Sequence, residues 1–70
     1  MNQKIIAFLK KNGFSRVERN TYKNAKCVVT VGEESIIVTN SNDDDYFGTD
    51  IFWLIGFLTF FGFMDRQYKK

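Results

Sequence analysis

Apolar and polar positions follow one another in three rhythms along this chain. Over residues 2–12, Ile5, Ile6, Phe8 and Leu9 gather on one side of a helical projection, with Lys4, Lys10 and Lys11 off it. That spacing predicts a short amphipathic helix capped by Asn2. Asn12-Gly13-Phe14 then has the composition of a helix stop, in which glycine takes the left-handed conformation and the next apolar residue folds back on the last turn. From Ser15 the rhythm shortens to that of strands. Arg16-Val17-Glu18-Arg19-Asn20-Thr21-Tyr22 mixes β-formers with charge, as a half-exposed edge strand does. Cys27 to Val31 and Ser35 to Thr39 are β-branched runs on either side of Gly32-Glu33-Glu34. Strands are therefore expected at about 15–22, 26–31 and 35–40, joined as an antiparallel meander. Both faces of the last two strands are apolar, because Val29, Val31, Ile36 and Val38 cannot all share a face with Val28 and Ile37. A single helical layer does not cover both.

The third rhythm follows an acidic loop expected over residues 40–48, where Asn40-Ser41-Asn42-Asp43-Asp44-Asp45 has turn composition. Thr49 is the expected N-cap of a second helix over about 50–62, with Asp50 in its first turn, where a negative charge meets the positive end of the helix dipole. Phe61-Gly62-Phe63 repeats the glycine-then-aromatic stop, with continuation through Met64 and Asp65 as the alternative. From Ile51 to Met64 there is no charged residue, and eight of the chain's twelve aromatic residues lie between Tyr46 and Phe63. Fourteen helical residues cover roughly 21 Å, short of the ~30 Å hydrocarbon layer of a bilayer. On a helical wheel Ile51, Leu54, Ile55, Leu58 and Phe61 form an aliphatic stripe suited to a core. Trp53, Phe57, Phe60 and Met64 form a second stripe, and Phe52, Gly56, Thr59 and Phe63 a third that is small in the middle. No side is polar. A helix apolar all round must be covered all round, and a 70-residue chain has one sheet and one other helix to do it. The residues expected at an interface, most simply between two copies in a homodimer, are Trp53, Phe57, Phe60, Met64, Phe52 and Gly56. Membrane-surface docking ranks behind this, since Asp50 and Asp65 flank the apolar run and Arg66, Lys69 and Lys70 only partly offset them.

Charge divides the chain further. Residues 1–31 hold Lys4, Lys10, Lys11, Arg16, Arg19, Lys23 and Lys26 against Glu18 alone, whereas residues 32–65 hold seven acids and no base, within a net charge of +2. The seven basic residues are candidates for binding an anionic ligand, a nucleotide or single-stranded nucleic acid, with Phe14 and Tyr22 available for stacking. No phosphate-cradling loop or nucleic-acid-binding motif accompanies them.

Candidate chemistry is sparse. With no His, triads built on imidazole and His-containing metal sites are excluded. The spacing of Asp43, Asp44 and Asp45 fails the calcium-loop pattern, with Asp45 where glycine is needed and Ile51 where glutamate is needed. The lone Cys27 lies in an apolar strand, which favours a buried reduced thiol over a nucleophile and fits a cytoplasmic setting. Neither a signal-peptide core nor a lipidation motif is evident. Lys, Asn, Ile, Phe and Tyr make up 30 of 70 residues, a skew that AT-rich codons produce and that points to a bacterial or bacteriophage origin.

The sequence thus predicts one α+β domain over residues 1–70, in the order αβββα: a three-stranded antiparallel meander with two helices packed on one face. Its expected function is binding, not catalysis, with no cofactor and no metal. It is expected to be a small interaction protein, of the accessory or counter-defence kind, that self-associates through the aromatic helix and occupies an unknown protein partner.

Overall fold

The computed structural model describes residues 3–64. The Asn2 cap and the charges at Asp65, Arg66, Lys69 and Lys70 lie outside these residues. The element order is α1 (Gln3–Lys11), β1 (Ser15–Glu18), β2 (Thr21–Lys23), β3 (Cys27–Val31), β4 (Ile36–Asn40), β5 (Asp45–Gly48) and α2 (Ile51–Phe61). The strands form one antiparallel sheet in the order β1-β2-β3-β4-β5. This is the expected α+β arrangement of a terminal helix, a meander and a second terminal helix, with five strands where the sequence suggested three.

Both additional strands come from turns hidden by composition. The segment expected as one strand over 15–22 is a hairpin, folded at Arg19-Asn20 so that Glu18 pairs with Thr21. Asn20 takes a positive φ of 65°, which asparagine tolerates better than most residues. The segment expected as an acidic loop over 40–48 is loop only through its first residues. Asn40 Oδ1 accepts from the backbone N–H of Asn42 (2.9 Å) and Asp44 (3.0 Å), closing a tight turn with Asp43 at φ 66°. The chain then returns as β5, pairing Tyr46 with Val38 and Phe47 with Ile37.

The sheet has two unlike faces. Tyr22, Val29, Val38 and Tyr46 form a cross-strand row, and with Cys27, Val31 and Ile36 they face the helices. On the same side Ile5 and Leu9 come from α1, Leu54 and Leu58 from α2, and Phe14 from the α1 stop. Phe14 N–H donates to Leu9 C=O (3.0 Å) while Gly13 takes φ 91°, so the stop read at Asn12-Gly13-Phe14 forms and its aromatic ring is buried. On the opposite face Val28, Thr30, Ile37 and Thr39 are half-buried and Phe47 is 65% exposed. The apolar character of that second face, legible in the sequence, is left uncovered by the two helices.

Candidate interaction surface

The geometry of α2 is set at both ends by backbone chemistry. Its N-cap is Asp50, not Thr49: Asp50 is extended (φ −144°, ψ 171°) and its Oδ1 accepts from Trp53 N–H at 2.8 Å. A carboxylate in this position both satisfies a free N–H and meets the positive end of the helix dipole. At the other end Gly62 takes φ 70° and Phe63 N–H donates to Leu58 C=O at 2.9 Å. The helix stops there instead of continuing through Met64.

Four sets of contacts fasten this helix to the sheet and its turns. Leu54 and Leu58, four residues apart, are fully buried. Trp53 lies over Gly48 of β5, where a Cβ would fall inside its indole ring. Asn24, in the turn between β2 and β3, donates from Nδ2 to Phe63 C=O at 2.7 Å, while its Oδ1 accepts from the N–H groups of Lys26 (2.8 Å) and Cys27 (2.9 Å). Lys26 Nζ adds a donation to Gly62 C=O at 3.3 Å, at the negative end of the helix dipole. Asn24 went unnoticed in the sequence because it sits in a polar turn; the signal available was an Asn two and three residues before backbone N–H groups entering a strand.

The six residues expected at an interface separate into two groups. Phe57 is half-buried at the hub of an aromatic cluster, with ring centroids 4.9 Å from Tyr46, 5.1 Å from Trp53, 4.6 Å from Phe61 and 6.0 Å from Phe63. Trp53 and Met64 are likewise partly buried against the core. Phe52, Gly56 and Phe60 are exposed, Phe52 by 79% and Phe60 by 82%. The outer side of α2 is therefore a patch of rings around a glycine, joined to the cluster where Phe60 meets half-exposed Phe61 edge-on, ring centroids 5.0 Å apart.

The other candidates are placed differently. The seven basic residues Lys4, Lys10, Lys11, Arg16, Arg19, Lys23 and Lys26 are all exposed. Strand register divides them: Arg16 pairs with Tyr22 on the helix-facing side, while Lys23 pairs with Ser15 and Val28 on the open side. Lys23 and Lys26 border a cleft of about 300 Å³ between the β2–β3 and β4–β5 turns, with Thr39 and Asp43 on its other wall. Within the acidic turn, Asp45 Oδ1 accepts from Thr39 Oγ1 at 2.8 Å. Among the described residues no group of three or more Cys, Asp or Glu side chains is arranged to hold a metal ion. Cys27 is buried, and burial pushes its thiol up to about 11, away from the thiolate form a nucleophile needs. No helix among these residues is long and apolar enough to cross a membrane.

No family model, curated protein or solved structure matches the chain. The surface on α2 is consequently read on its physical character alone.

Proposed function

We propose that this chain is a non-enzymatic interaction protein that self-associates through the outer side of α2 and acts by binding a partner. One observation carries the reading: Phe52 and Phe60 are 79% and 82% exposed on a helix with no charged residue between Ile51 and Met64. Aromatic rings are among the residue types enriched in interface cores, and a surface helix of a free-standing domain ordinarily turns polar residues outward. Each ring leaves on the order of 160 Å² in water, and at about 25 cal/mol per Å² its burial contributes up to roughly 4 kcal/mol to association before ordering costs are subtracted. The AT-rich residue usage supports a bacterial or phage accessory protein, and the buried reduced Cys27 supports a cytoplasmic setting.

Light scattering tests this directly. The wild type is expected at a multiple of its 8.2 kDa chain mass, and Phe60→Glu, which removes an exposed ring, is expected to return it to monomer with unchanged circular dichroism. A wild-type monomer at all concentrations that co-sediments with liposomes, and loses this with Phe60→Glu, would favour membrane docking instead.

A further inference from the structure

We infer that the partner on α2 is a second copy of this chain, its α2 running antiparallel about a twofold axis through Gly56; this rests on the self-association reading above. Gly56 stands at the centre of the outward side, about 160° around the helix from both Leu54 and Leu58 at ~100° per residue. A Cβ built on it meets nothing within 4 Å. Phe52 and Phe60 lie four residues to either side, about 6 Å along the axis and ~40° to opposite flanks. A twofold interface must be complementary to itself. In the antiparallel register the two Gly56 backbones face each other, and Phe52 falls beside the partner's Phe60 with the rings on opposite flanks of the seam, so that they stack without colliding.

Charge at the helix ends, outside the seam, favours the antiparallel direction. Asp50 caps the start of α2, and Lys26 Nζ sits on Gly62 C=O at its end. Antiparallel pairing brings Asp50 to the same end as the partner's Lys26 and opposes the helix dipoles favourably; parallel pairing would gather like charges at each end. The seam between them is neutral, so identical faces meet without repulsion. The area is consistent with a small specific dimer. Two rings at about 160 Å² each supply roughly half of the ~600 Å² per copy that the smallest specific interfaces bury, and Thr59, exposed on the same side, extends it.

Disulfide trapping in the full chain tests the register, with buried Cys27 left in place and the wild type as control. At ordinary helix separations of ~8–10 Å, facing Gly56 Cα atoms come within about 6 Å and Phe52 comes near the same distance from the partner's Phe60, inside disulfide range. Phe52 and its own copy are about 12 Å apart along the axis, outside it. Gly56→Cys is therefore expected to cross-link with itself. Phe52→Cys and Phe60→Cys are each expected to stay uncrosslinked alone and to form mixed dimers when combined. Lys26→Gln, which lies outside the seam and keeps a donor for Gly62 C=O, is expected to weaken the wild-type dimer about twofold in low salt and less in high salt; a loss equal in both salts would remove the charge argument for the antiparallel direction. Self-crosslinking of Phe52→Cys and of Phe60→Cys would overturn the antiparallel register. A wild-type dimer that none of the three cysteines traps would move the interface off this face and leave self-association standing. A wild-type monomer at every concentration would overturn both.

Discussion

Asn24 joins two elements of this fold through a single side chain. It is 9% exposed, and its amide serves two backbone donors of the β2–β3 turn and the last carbonyl region of α2 at once. Asn24→Ala leaves two N–H groups and one C=O without these partners, so a loss of about 2–4 kcal/mol is expected in urea denaturation. A loss under about 1 kcal/mol would show that water replaces the amide readily. Cys27 makes a second prediction at this scale. Its folded value of about 11 lies above the ordinary 9.0 because burial disfavours the thiolate. The unfolded chain therefore gives up this proton first, and stability from the buried thiol, fully present below pH 9, declines as pH rises from about 9 to about 11. Urea midpoints across that window are expected to fall more steeply for wild type than for Cys27→Ala; parallel slopes would contradict it.

At the scale of elements, glycine substitution separates the two ends of the α2 story. Gly48→Ala places a methyl inside the Trp53 ring and is expected to cost about 1–3 kcal/mol as the indole is displaced. Gly56→Ala meets open space in a helix interior, so it is expected to raise the stability of the monomer by about 0.5–1 kcal/mol. Thermal melts of dilute protein read both, and equal signs for the two would contradict the placement of α2 on β5. The same elements show what was legible beforehand. Helix stops at Gly13 and Gly62 were readable because a glycine at the end of an apolar helical run closes the last turn locally, with an aromatic residue behind it to fold back. The turns at Asn20 and Asn40 were not, since each depends on a neighbouring strand arriving to pair. Charges in Arg16 to Arg19 and Asp43 to Asp45 obscured β1 and β5, both of which are edge strands, where charge is tolerated and protective. Within the α2 surface, the excess of apolar faces was readable from the 3.6-residue period. Which stripe stays outside was not, because it follows from Tyr46 and Gly48 on a strand hidden among aspartates.

For the whole molecule, the aromatic excess resolves into an inner cluster around Phe57 and an outer pair of rings that nothing among the described residues covers. The open sheet face, with Phe47 65% exposed beside Ile37, is a second uncovered area, but threonines interrupt it and Asp45 and Lys23 border it. The α2 side is uncharged throughout, which makes it the stronger candidate for contact with a copy of itself. Sedimentation equilibrium over a wide concentration range, comparing wild type with the Phe52→Glu/Phe60→Glu double variant, tests that most directly. Wild type is expected to approach twice 8.2 kDa as concentration rises while the folded double variant stays at the chain mass. A wild type fixed at 8.2 kDa, or a double variant that dimerises equally well, would contradict it.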